Sequence, residues 1–169
     1  MTENQISTTH RIVLMAMLAA MQIVLSRCLS INLWNLRIGF AFVPIAMAGM
    51  LLGPMSAGLT GVVADIIGAT LLSSAAFFPG FTLTAFITAF GYGFFLQTKQ
   101  DMPHIVAAVL FSEIVGTILL NTLWISIMYG TPFIAVMIPR LGQAVGMGIV
   151  EIIVIRLLAN YVPQLKATI

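Results

Sequence analysis

Charge is what this sequence lacks most. Of its 169 residues only 7% are charged, seven Lys or Arg and five Asp or Glu, where a soluble domain carries about 25%. That leaves too little polar surface to cover a water-soluble globule. A net charge of +2, with no basic run, gives nucleic acid nothing to bind. Cysteine is nearly absent. The single Cys28 excludes an internal disulfide and any multi-cysteine metal site, and reads as a small buried residue. Catalytic signatures are missing too. There is no Gly-rich phosphate loop closing on Lys-Ser/Thr, no His-Glu-x-x-His and no Gly-x-Ser-x-Gly. His10 and His104 fall near expected helix ends, and Asp101 with His104 reads as a turn and a helix start rather than a catalytic pair. No enzyme, metal or cofactor is expected. Any active transport has to draw its energy from a partner ATPase or from an ion gradient.

What the sequence does have is apolar length: 60% of its residues are hydrophobic. Each bilayer crossing takes about 20 apolar residues, so the chain has material for about six or seven crossings and none for a soluble domain. The apolar stretch from Ile12 to Leu25 has the look of a signal-peptide core, but no small-residue cleavage site follows it, and it reads as the first membrane helix. Helices are expected at about 11–29, 39–52, 55–72, 82–97, 104–128 and 141–161. Between the first two lies a loop through Ser30, Asn32, Trp34, Asn35 and Arg37. Gly53-Pro54, Phe77-Phe78-Pro79-Gly80 and the polar turn at Lys99 to Pro103 mark further breaks. Gly130-Thr131-Pro132 and Pro139 bracket a loop or short re-entrant piece. The expectation is an all-α membrane protein, one integral domain over 1–169 with six transmembrane helices.

Six crossings place both termini on one face. Arg11, Lys99, Arg156 and Lys166 fall on that face, against Arg27, Arg37 and Arg140 on the other. The positive-inside rule then favours cytoplasmic termini by a narrow margin. Three arginines outside, with no acidic residue in the same loops, suit an arriving anionic solute. They equally suit lipid phosphate or helix ends.

Carboxylates at membrane depth are costly and are usually functional or paired. Asp65, Glu113 and Glu151 qualify. Gly58, Gly61 and Gly68 share a helical face with Asp65, leaving it open either to a ligand or to close helix packing with a hydroxyl or arginine partner. Glu113, Thr117, Asn121 and Trp124 step by four, four and three along one helix, and Arg140, Gln143, Met147 and Glu151 step similarly along another. Both stripes are expected to face the bundle interior. Asn121, Trp124, Arg140 and Gln143 then lie near Asp65 in depth. Glu113 and Glu151 lie nearer the terminal face and read as a structural or conformational-coupling pair rather than as ligand contacts. Ala16 with Ala20, and Gly49 with Gly53, are small-xxx-small pairs suited to packing within the bundle or to docking another membrane protein.

Specific strings then point to a family. Arg37-Ile-Gly-Phe-Ala-Phe-Val-Pro-Ile-Ala, followed by Ala48-Gly-Met-Leu-Leu-Gly-Pro54, resembles the second helix of substrate-binding subunits of energy-coupling-factor (ECF) vitamin transporters. Ala64-Asp65-Ile-Ile-Gly68-Ala69, Phe78-Pro-Gly-Phe-Thr-Leu-Thr-Ala85, Asn121-Thr-Leu-Trp124, Tyr129-Gly130 and Pro139-Arg140 are similar to the folate branch. The resemblance implies the six-helix ECF S-component fold in a prokaryotic cell membrane. It also implies a vitamin pocket open to the outside, and association with a membrane coupling subunit (EcfT-like) and two ATPases that alone use ATP. Ala16 and Ala20 match the family's Ala-x-x-x-Ala docking motif.

Folate, with a flat pterin, an aromatic linker and an anionic tail, is the implied solute. Asp65 is placed to accept two parallel hydrogen bonds from the pterin. Trp34, Phe77, Phe78, Trp124 and Tyr129 are placed to stack on its rings or to sit as interfacial aromatics, and Arg37 and Arg140 to hold its carboxylates. Two alternatives stand beside this one. The first is a binding subunit for another vitamin or precursor, such as thiamine, riboflavin or a pyrimidine. The second is a stand-alone ion-coupled carrier using Glu113 and Glu151.

Overall fold

The computed structural model describes residues 7–27, 30–32, 37–72 and 77–168. Helix α1 spans Thr8–Arg27 and is followed by two short strands, β1 Ser30–Asn32 and β2 Arg37–Gly39. The strands pair antiparallel, Ile31 opposite Ile38. Then come α2 (Phe42–Leu52), α3 (Pro54–Leu71) and α4 (Pro79–Leu96). A long α5 covers Met102–Tyr129, α6 covers Phe133–Ala159 and a short α7 covers Val162–Thr168. The helices α1, α3, α4, α5 and α6 are each long and apolar enough to cross a membrane, while α2, equally apolar, is shorter.

Proline and glycine set the boundaries. Pro54, Pro79 and Pro103 each sit in the first turn of a helix, where the missing N–H has no intrahelical partner to lose. Pro79-Gly80, expected as a break, is therefore the start of α4. Gly53 alone joins α2 to α3 with φ of 85°, a backbone state that side chains resist. Gly130 closes α5 in the left-handed region, as helix ends commonly do.

Two expectations are corrected. The stretch after α1 holds a two-stranded ribbon, so residues 37–39 form a strand and α2 begins only at Phe42. Short β runs between helices carry no periodicity long enough to read. Pro139 does not end a loop but lies inside α6, which starts at Phe133. In lipid an irregular stretch would leave several backbone groups unbonded, a larger cost than the single bond proline removes. Within α5, Ser112–Asn121 is π-helical, with bonds reaching five residues back. The Thr122 hydroxyl follows the same pattern and donates to the Thr117 carbonyl at 3.3 Å.

The apolar core gathers where α2, α4, α5 and the end of α6 meet. Met50, Leu96, Ile105, Val109 and Ile155 are buried there, with Val162 of α7. At this end Arg11 joins α1 to the α2–α3 corner. Its Nη2 donates to the Leu52 carbonyl and its Nε to Ser56 Oγ, both at 2.9 Å. The guanidinium thus satisfies a helix-end carbonyl that would otherwise lack a donor.

Candidate functional site

Above that core lies a cavity of about 410 Å³, a size in the range of small-molecule sites, roughly 300–1,000 Å³. Its wall is assembled from the repeating polar positions of five helices. Helix α1 supplies Gln22 and Ser26, and α3 supplies Asp65 between Ala64 and Ala69. Helix α4 gives Phe81, Thr84, Thr88 and Tyr92. The π segment of α5 gives Ser112, Glu113, Gly116, Thr117 and Asn121, and α6 gives Arg140, Gln143, Met147 and Glu151. Phe42 and Ile45 of α2, together with Ser30 and Gly39 of the ribbon and the segment Phe77-Phe78, complete it.

One end is closed and the other open. Phe42, Ile45 and Tyr92 belong both to the cavity wall and to the apolar core, so the Tyr92–Glu151 end is a floor. The Tyr92 hydroxyl donates to Glu151 Oε2 at 2.7 Å. At the other end Phe77 is exposed, and Thr82 Oγ1 donates to Asp65 Oδ2 at 2.8 Å. From Thr82 to Tyr92 along α4 the site is about 15 Å deep, at 1.5 Å per residue.

Asp65, Asn121, Arg140, Gln143, Phe77 and Phe78 are all brought to this one cavity. The π segment explains part of the alignment. Its wider turn keeps Glu113, Thr117 and Asn121 on the cavity wall, and the Thr117 carbonyl accepts from Arg140 Nη1 at 3.2 Å. Arg140 is buried, and a buried guanidinium needs such acceptors.

Other sequence-predicted residues fall elsewhere. Trp124 stands behind the wall: its Nε1 donates to Thr84 Oγ1 at 3.0 Å, and its ring lies 5.8 Å from that of Phe78. It positions Phe78 rather than lining the cavity. Tyr129 is 59% exposed and does not line the cavity; it closes the end of α5 beyond the site. Trp34 lies outside the described residues, as does the side chain of Arg37, whose backbone pairs with Asn32 in the ribbon.

Glu113 and Glu151, expected away from the ligand, both line the cavity. Their depth on the helices was legible, but the cavity's reach down to the core was not.

The glycine pairs resolve into packing. A Cβ on Gly49 would come within 2.7 Å of the Gly93 amide nitrogen, and one on Gly61 within 2.9 Å of the Ala85 carbonyl. A side chain on Gly53 would strike Gln97. Gly49 and Gly53 are therefore buried against α4 and offer no docking surface. Likewise Gly58 and Gly61 seat α3 on α4, and Asp65, a turn further on, opens to the cavity beside Ala64 and Ala69. Ala16 and Ala20, by contrast, are exposed on α1. Ala16 borders a shallow apolar groove with Ile12, Met15, Ala19, Thr60 and Val63.

The sequence reading missed Gln22, Ser26, Thr84, Thr88 and Tyr92. A signal existed for each, since Gln22 and Ser26, and then Thr84, Thr88 and Tyr92, step by four along their helices.

The chain is similar to proteins of known kind over most of its length. Residues 10–159 match the family described as ECF transporter, substrate-specific component. A folate transporter FolT of Clostridium novyi (strain NT) is 38% identical over 128 residues, 75% of this chain and 74% of the relative. A folate transporter FolT of Leuconostoc mesenteroides subsp. mesenteroides is 37% identical over 139 residues, 78% of this chain and 75% of the relative. The crystal structure of FolT bound with folic acid superposes with a TM-score of 0.84 at 36% identity, covering 88% of this chain and 92% of that one. An S-component for biotin from an ECF-type ABC transporter, 23% identical with a TM-score of 0.68 over 95% of each chain, shares the fold. An all-helical bundle whose cavity is walled by polar stripes, matched over residues 10–159, makes this chain a member of the ECF-transporter substrate-specific component family.

Proposed function

We propose that this chain captures folate in the cavity between α1, α3, α4, α5 and α6 and delivers it for ATP-driven uptake by an ECF transporter. The observation that carries this reading is the cavity itself. One cavity, open at one end, joins acceptors (Asp65, Glu113), a buried cation (Arg140) and aromatic rings (Phe77, Phe78, Phe81), the three chemistries that an N–H-rich ring, an anionic tail and an aromatic linker require. The likeness to folate transporters supports the same choice. Asp65, Asn121 and Gln143 supply polar contacts, and Arg140 meets a carboxylate of the tail. The protein resides in a prokaryotic cell membrane with its termini cytoplasmic, and it uses no cofactor of its own.

In this reading a membrane coupling subunit docks on the exposed face of α1 at Ala16 and Ala20, where small side chains let another helix approach closely. The two ATPases act through that subunit. Cells should accumulate folate only when the coupling subunit and the ATPases are produced with this chain. Ala16→Leu combined with Ala20→Leu should abolish uptake and leave folate binding to the purified protein within about twofold, because the change lies on the far side of α1 from the cavity. Uptake by the chain alone in vesicles, driven by an ion gradient, would instead establish a stand-alone carrier.

A further inference from the structure

The start of α4 carries two of the cavity's aromatic rings, Phe78 and Phe81, yet does little to hold itself in place. Phe78 stands at the N-cap with no side-chain oxygen to bond the free N–H groups of the first turn. The neighbouring helices hold that turn instead. Helix α3 supplies the bond between Asp65 and Thr82, and α5 supplies Trp124. Trp124 Nε1 donates to Thr84 Oγ1 at 3.0 Å, and that hydroxyl donates in turn to the Gly80 carbonyl at 3.1 Å. A hydroxyl has one hydrogen. Thr84 lines the cavity but has no hydrogen left to give a ligand. The Trp124 ring also reaches Gly80 itself. A Cβ there would fall 2.6 Å from Trp124 Cδ2 and 2.5 Å from Phe78 Cε1, so only glycine lets the two rings close over the helix start. Phe78 then lies 5.8 Å from Trp124 and, edge-on, 5.9 Å from Phe81, separations at which aromatic pairs attract.

We infer that Trp124, acting through Thr84 and the gap left by Gly80, is a positioning residue that sets the aromatic wall of the cavity before a ligand arrives. This rests on the folate reading, in which that wall meets a flat, aromatic ligand. The three residues work as one unit. Without the indole N–H, Thr84 keeps its bond to Gly80 but loses its tie to α5. Without the indole ring, Phe78 loses the surface it packs on and gains freedom to turn. Either change loosens the wall in the empty protein, so that binding has to order it. The loss falls on affinity, chiefly as faster dissociation.

The test titrates the full chain in detergent with folic acid by calorimetry, well below the thermal midpoint, and measures ligand release alongside. Wild type is compared with Trp124→Phe, Trp124→Leu, Thr84→Val, Thr84→Ser, Gly80→Ala, and Trp124→Phe combined with Thr84→Val. Trp124→Phe keeps a ring against Phe78 and removes one neutral hydrogen bond, so it should weaken folic acid by about 2- to 10-fold. Thr84→Val should do the same. The combined variant should stay within about twofold of either single one, because both remove one shared interaction. Thr84→Ser, which keeps the hydroxyl, should recover most of what Thr84→Val loses. Trp124→Leu and Gly80→Ala also unseat Phe78 and should lose more than Trp124→Phe, with faster release. Additive losses in the combined variant would mean that Thr84 meets the ligand itself, and would overturn the assignment. So would wild-type affinity in Trp124→Leu and Gly80→Ala, including the case in which only their thermal midpoints fall, which is a merely structural role. If wild type itself binds no folic acid, the folate reading falls and takes this assignment with it, a result distinct from binding that ignores Trp124.

Discussion

Gly49→Val should leave little folded protein. The Gly49 α-carbon sits so close to α4 that a single Cβ would lie 2.7 Å from the Gly93 nitrogen and 2.9 Å from the Tyr92 carbonyl carbon. Those neighbours are backbone and cannot rotate aside. Helix α2 must move away from α4 as a body, and the seam it would open runs through Tyr92 and Leu96, both fully buried. Overpacking usually costs about 1–3 kcal/mol, and the loss here should reach or exceed the top of that range. Gly146→Val is the control. A Cβ there meets nothing within 4 Å, so the same side chain on α6 should shift the midpoint little. The measurement is the yield of monodisperse protein and its thermal midpoint in detergent. Equal behaviour of the two variants would mean that the α2–α4 contact is not as tight as described.

Much of this fold is legible in the residues because lipid permits so few solutions. Long apolar runs bounded by Gly53-Pro54, Lys99 to Pro103 and Gly130-Thr131 fall where the helices change. What the periodicity hid was of a different kind. Pro139 reads as a breaker in water, yet inside the membrane α6 runs through it because the alternative costs more backbone bonds. The π segment Ser112–Asn121 is more polar than its flanks, with Ser112, Glu113, Thr117 and Asn121, but those residues signal only a polar face, and its wider winding announces itself only through backbone bonding. The ribbon at Ser30–Gly39 is too short to show alternation.

At the site, the stripes of α5 and α6 were readable because a step of three or four places residues on one face. Which of two faces a glycine serves was not. Gly49, Gly53, Gly58 and Gly61 all turned out to seat helices against α4, whereas the equally small Ala16 and Ala20 face outward. Pairwise helix contacts of this kind are properties of the assembled bundle and leave no mark on one segment alone.

Arg140→Gln should weaken folic acid by about 10- to 100-fold and pteroate, which lacks the glutamate, by much less. Arg140 is buried in the cavity wall and one of its nitrogens is committed to the Thr117 carbonyl at 3.2 Å. That bond ties the guanidinium to the π segment and helps orient it in the cavity wall. A carboxylate meeting a pre-oriented guanidinium gains charge-assisted bonds at little entropic cost. Glutamine keeps some polar reach but neither the charge nor the fork. Leaving a ligand carboxylate without its cation forfeits about 1.5–3 kcal/mol, which is the stated loss in affinity. Equal losses for folic acid and pteroate would remove Arg140 from the tail and leave it a role in holding the π segment.

The most direct test of the account is a titration of the purified chain, alone in detergent, with folic acid, thiamine and riboflavin. Trp124 lies against Phe78 at the cavity wall, so ligand entry should change its fluorescence. The account predicts saturable one-to-one quenching by folic acid, with thiamine and riboflavin silent at the same concentrations. A response to thiamine or riboflavin, with folic acid silent, would contradict it.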